Sequence, residues 1–158
     1  SELDCQGTGD KNMEYADNPN LEFLNNEMTA CAMVTPDVYG SPRPVYSKTG
    51  TNSHWFLSPY NVVAAGFAAQ LAGNVNRVDT AQITGVVAQK YCLCNVLNGS
   101  AGTPIERLKV YVNWLNYTIE SSGTTDGVWT YTTGVMELCF HTQETVGFDG
   151  RVSHLWAE

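Results

Sequence analysis

Cys92-Leu93-Cys94, in the stretch YCLCNVLNGS, places two sulfurs one residue apart, and Cys5, Cys31 and Cys139 bring the cysteines to five. Thiol redox chemistry normally uses two intervening residues at a helix start, where the dipole lowers one thiol pKa, and this spacing does not supply that. A zinc site would draw Cys92 and Cys94 from one strand and Cys139 and His141 from another. Side chains at i and i+2 of an extended strand diverge too far for a tight tetrahedron, so neither metal nor cofactor is expected. Disulfides remain. Cys92 and Cys94 are poorly placed to bond each other along a strand, so each is expected to bridge elsewhere, with Cys5, Cys31 and Cys139 as candidate partners. Two bridges leave a fifth thiol, either buried and inert or linking two chains, which gives a monomer or a disulfide-linked dimer.

The three histidines are His54, His141 and His154. None stands in a zinc-protease motif, and the nucleophile-elbow, P-loop and dinucleotide patterns are absent from the sequence. The sharpest catalytic arrangement pairs His141 with Glu137 and brings His54 or His154 from a loop. Such groups on opposite sides of a scissile bond suit general acid–base hydrolysis of a glycosidic or phosphodiester link. Binding without catalysis asks for less. Trp55, Phe56 and Tyr60 cluster in sequence, and Trp129 and Tyr131 share one face of a predicted strand. Aromatic rings among Asn, Thr and Asp grip sugar rings or anchor a protein contact. The same rings serve equally well as core.

Charge narrows the partners. Eight basic residues against sixteen acidic ones give a formal charge of −8, and the basic residues are scattered singly from Lys11 to Arg151. Nucleic-acid binding leaves a basic stripe, which this chain lacks. No stretch approaches the ~20 apolar residues that span a bilayer as a helix, so no membrane insertion is expected. An extracellular protein, a glycan or a small neutral ligand fits better.

The elements that must position these residues read as α+β. Thr103-Pro104-Ile105-Glu106 forms a capping box, and Ile105, Leu108, Val112, Leu115 and Ile119 follow at helical spacing, which predicts a helix over 104–119. LKVYVNW, rich in strand formers, is the rival reading of that segment. Ser58-Pro59 opens a predicted helix over 59–72, apolar nearly all round through Ala64, Ala65, Ala68, Ala69 and Ala72. Asn18-Pro19 is a candidate start for a third, with Leu21, Leu24, Met28 and Cys31 at helical spacing, and a short strand over LEFL is the equal rival. The stretch 35–53, with three prolines, reads as a long ordered loop. Residues 86–97 read as a strand, and 127–141 as a hairpin closed by a three-residue loop ending in Gly134.

Two acceptor triplets for N-glycosylation, Asn98-Gly99-Ser100 and Asn116-Tyr117-Thr118, point to the secretory route. The opening SELDCQ, without Met, is what a processed mature end looks like. Cysteines without a competent redox motif point the same way. The expectation is a single secreted domain over 1–158: a mainly antiparallel sheet with two or three packed helices, disulfide-stabilised and acidic. Its expected function is extracellular recognition without catalysis, as an effector, toxin-like or ligand-binding glycoprotein. A small secreted hydrolase using His141 and Glu137 is the alternative, and a structural coat or matrix protein a third class.

Overall fold

The computed structural model describes residues 1–7, 13–16, 27–39, 43–48, 54–61, 65–71, 76–80, 85–98, 106, 108–122, 136–139 and 147–158. Every element among them is a strand: β1 (Leu3–Gln6), β2 (Met13–Tyr15), β3 (Glu27–Pro36), β4 (Tyr46–Lys48), β5 (His54–Asn61), β6 (Ala65–Leu71), β7 (Asn76–Thr80), β8 (Tyr91–Asn98), β9 (Leu108–Val112), β10 (Leu115–Asn116), β11 (Thr118–Ser122), β12 (Met136–Leu138) and β13 (Asp149–Ala157). They form a six-stranded sheet, in the order β1-β13-β3-β8-β9-β10, and a seven-stranded sheet, in the order β11-β7-β6-β5-β4-β12-β2. The fold is a β-sandwich, which overturns the α+β expectation.

The helices fail for identifiable reasons. Residues 59–72 supply the end of β5 and all of β6, paired Pro59↔Phe67 and Tyr60↔Gly66. Ala69 and Phe67 are buried there, so small residues that suit a helix suit a closely packed sheet as well. Over 104–119 the alternation wins: Leu108, Val110 and Val112 are buried while Lys109 and Tyr111 between them are half-buried, the period of a strand with one face on the core. Met28 and Cys31, placed on a third helix, belong to β3; residues 18–26 of that prediction lie outside the described residues. The stretch read as a loop holds β4. Of the predicted 127–141 hairpin, the structure describes only residues 136–139. β12 pairs on one side with β2 and on the other with β4, and the 128–131 arm of the predicted hairpin lies outside the described residues.

The core lies between the sheets. The six-stranded sheet contributes Met28, Ala30, Ala32 and Val34 of β3, Tyr91, Leu93 and Leu97 of β8, and the apolar row of β9. The facing sheet contributes Leu57, Phe67 and Ala69. Phe67 stands edge-on to Tyr91, with ring centroids 5.0 Å apart, and to Tyr39 at 5.9 Å, the geometry that ring quadrupoles favour.

One polar residue breaks the apolar alternation of β8. Asn95 shares the inward face with Leu93 and Leu97 and is buried. Opposite it, β5 carries one extra residue between Trp55 and Ser58 relative to β6, and Leu57 there takes a left-handed φ of 54°. The bulge removes the Leu57 N–H from the ladder, and it donates instead to Asn95 Oδ1 across the sandwich. A buried N–H without a partner costs about 1–3 kcal/mol, which gives this Asn a structural reason.

Burial also sets an alkaline limit. Tyr46, against Leu138 in the ladder, is 4% exposed, and burial pushes its phenol up to about 12. Tyr39 moves in the same direction through burial beside Tyr91. An unfolded phenol ionises near 10. The folded pKa is raised, so this contribution to stability is whole below about pH 10 and is lost as pH climbs through about 12. Urea midpoints are therefore expected to hold up to pH 10 and fall steeply above it; a flat midpoint to pH 12 would contradict the burial of these hydroxyls.

Candidate functional site

The sulfurs divide between two tasks. Cys31 and Cys94 are direct partners in the β3–β8 ladder and bridge within the six-stranded sheet. Cys5 of β1 bridges to Cys139, immediately after β12, and so ties the two sheets together. Of the adjacent pair, only Cys94 is bridged. Cys92 remains a half-buried thiol, its pKa raised by burial. The zinc arrangement is ruled out, because Cys94 and Cys139 are both consumed in disulfides.

The inter-sheet bridge sits at a corner held by backbone hydrogen bonds. Cys139 N–H donates to Val45 O at 2.8 Å, Phe148 N–H to Cys139 O at 2.9 Å and Gly7 N–H to Phe148 O at 2.9 Å. Beside it opens a cleft of about 330 Å³, lined by residues that include Leu3, Val45, Leu138, Cys139, Val152 and Leu155, with Glu2, Ser153 and His154 adding polar atoms. β13 has one extra residue between Ser153 and Trp156 relative to β3, and His154, at φ 53°, lies in that bulge. Bulges re-aim side chains; here the exposed imidazole Nδ1 lies 3.1 Å from Ser153 Oγ. Glu2 already has a partner, Lys90 Nζ at 2.6 Å, whose hydrogen bond and charge hold the carboxyl below its ordinary range. The cleft is mostly apolar, and its one carboxylate, that of Glu2, is already paired.

The predicted catalytic residues do not converge on this cleft among the described residues. Glu137 is fully buried on β12, where Ser47 Oγ donates to its Oε2 at 3.3 Å. A carboxylate without exposed surface cannot meet a substrate in this conformation. His54 is on β5 opposite Lys48, and His141 lies outside the described residues. Trp55, Phe56 and Tyr60 also belong to β5. Trp129 and Tyr131 lie outside the described residues.

Among the described residues, large exposed aromatic rings lie at the β9–β10 turn and on β13. Val112 and Leu115 pair across a two-residue turn, Asn113-Trp114, with φ of 51° and 70°, the positive pair that defines a type I′ hairpin turn. Asn113 suits its place: its Oδ1 accepts from Cys92 N–H at 3.0 Å. Trp114 occupies the position where Gly is preferred, at a cost of about 1–2 kcal/mol for a left-handed side-chain-bearing residue, yet 75% of it is exposed. Trp156 on β13 is 47% exposed. The helix reading of 104–119 hid Trp114. Its signal was two alternating segments, LKVYV and LNYTI, on either side of an Asn-first dipeptide. The acceptor asparagines Asn98 and Asn116 are both exposed, at the end of β8 and on β10.

These features define a disulfide-bridged β-sandwich with an apolar cleft at the seam between its sheets. No protein-family model and no curated protein matches the sequence. Solved structures do share the fold. A native heptameric SAP-like pentraxin from Limulus polyphemus superposes with a TM-score of 0.65 at 15% identity, over 99% of this chain and 74% of that one. The full extracellular region of zebrafish Gpr126/Adgrg6 gives 0.64 at 10% identity, over 99% of this chain and 21% of that one. At such identities the likeness is one of fold.

Proposed function

We propose that the protein is a secreted glycoprotein that acts by extracellular recognition without catalysis, and that the cleft beside Cys5–Cys139 receives a small neutral ligand or the end of a glycan. The observation that carries the compartment is the pair of disulfides, joining residues 63 and 134 apart in sequence; stable bridges of this kind belong to oxidising surroundings. The fold shared with an extracellular receptor region supports the same reading. The sealed position of Glu137 favours recognition over hydrolysis.

A thermal-shift screen of the oxidised protein against neutral mono- and oligosaccharides and small apolar ligands tests the reading. Binding is expected, and Leu3→Trp, which fills the cleft from its rim, is expected to weaken it at least tenfold. Glu137→Gln and His141→Ala are expected to leave binding intact. Turnover of a glycosidic substrate that both of these variants abolish, with the fold retained, would instead establish the hydrolase.

A further inference from the structure

The relevant element is the β9–β10 hairpin, and its reading rests on the secretory route proposed above. Asn116 opens the acceptor triplet Asn116-Tyr117-Thr118 and is exposed on β10. Its ladder partner is Tyr111, whose partner on β8 is Cys94. This row faces outward, since Leu108, Val110 and Val112 turn the other side of β9 to the core. Tyr111 is half-buried, and Trp114, two residues before Asn116, has three quarters of its surface in solvent. An acceptor asparagine is thus flanked by one ring across the ladder and another at the turn.

A pyranose ring suits that setting. One of its faces consists of C–H groups, slightly positive and apolar, while the face of an aromatic ring is negative. We propose that Asn116 carries an N-linked glycan whose first sugar lays its C–H face on the Trp114 indole, with Tyr111 flanking it. Attachment forms one bond, from Asn116 Nδ2 to the anomeric carbon of a lipid-pyrophosphoryl oligosaccharide. It breaks one bond, the C–O link to the pyrophosphate, which departs on its lipid, and the Nδ2 proton passes to a base of the transferring enzyme. Once attached, the sugar is tethered beside the ring at high effective concentration, so even a weak stacking contact stays populated. This gives the exposed ring at a glycine-preferring turn position a use.

Asn98 supplies the comparison. It is exposed at the end of β8, with Glu27 as its ladder partner, a carboxylate that offers no ring to stack on.

The test is expression through a eukaryotic secretory pathway, followed by enzymatic release of N-glycans in heavy-oxygen water and peptide mass spectrometry. Asn116 is expected to be occupied. Removing the glycan is expected to lower Tm by about 2–4 °C, the shift that a single aromatic contact produces in a chain of this size. The shift should vanish in Trp114→Ala and persist in Asn98→Gln. Trp114→Gly, which relieves the turn, provides a second ring-less background should the alanine variant fold poorly. Upfield-shifted sugar C–H resonances, lost in either Trp114 variant, would report the stacking directly. Occupancy of Asn98 with Asn116 bare overturns this proposal alone, as does an undiminished glycan shift in both Trp114 variants. A secreted product bare at both sites counts against the glycoprotein reading as well.

Discussion

Replacing Cys5 and Cys139 together by serine is expected to cost about 5 kcal/mol, since the bridge closes a separation of 134 residues and chain-entropy loss grows with the logarithm of that length. Domains of this kind hold about 5–15 kcal/mol in all, so the double variant is expected to be largely unfolded near 37 °C. The corresponding change at Cys31 and Cys94, with a separation of 63, is expected to cost about 4 kcal/mol. The two should also differ in kind. The first releases the seam between the sheets, and with it the cleft; the second loosens two strands that already share a ladder. Guanidinium unfolding of the purified variants, with near-ultraviolet circular dichroism as probe, checks both. Equal stability of the wild type and the Cys5/Cys139 variant would remove the inter-sheet clamp from the account.

Phe148→Ala is expected to cost about 3–5 kcal/mol. The ring is fully buried at the corner where its own backbone joins Cys139 and Gly7. The space around it is already committed. A Cβ built on Gly150 would lie 2.3 Å from Thr35 O and 3.0 Å from Phe148 Cζ, so β13 can approach β3 and cover Phe148 only because residue 150 has no side chain. A cavity left by Phe148 cannot collapse when the strands around it are fixed by a ladder and a disulfide. Phe148→Leu, which keeps most of the volume, is expected to recover more than half the loss. Calorimetric Tm values of the two variants measure the difference, and a shift under 2 °C for the alanine variant would mean that the corner is not packed as described.

The contrast between sequence reading and structure turns on local signals that tertiary context overrode. A capping box over Thr103-Pro104-Ile105-Glu106 and a three-and-four spacing of apolar residues are real helix signals, yet Leu108, Val110 and Val112 also alternate, and the sheet rewards alternation because it buries all three at once. The Ser58-Pro59 start and the alanines after it misled in the same way, since a sheet that packs closely also needs small residues. Of the two adjacent cysteines expected to bridge, only Cys94 does, and Cys92 stays a thiol; the partners were not legible, because pairing across the sandwich depends on the strand order. Glu137 shows the limit of a local reading: paired with His141 as a catalytic candidate, it is completely enclosed in the structure.

The order of strands in the six-stranded sheet carries a consequence for how the molecule assembles. β3 can pair with β8 as soon as residue 98 exists, but its other edge waits for β13, which begins at Asp149. Until then, ten residues reading EMTACAMVTP present an unpaired backbone edge, a template for association with other chains. Loop closure over such distances is slow, so folding yield, more than final stability, is the quantity most exposed to chain concentration. β13 then closes that edge and, on its other side, receives β1, bringing Cys5 toward Cys139. The Cys5–Cys139 disulfide therefore records completion of the fold, whereas Cys31–Cys94 can form before β9 to β13 exist.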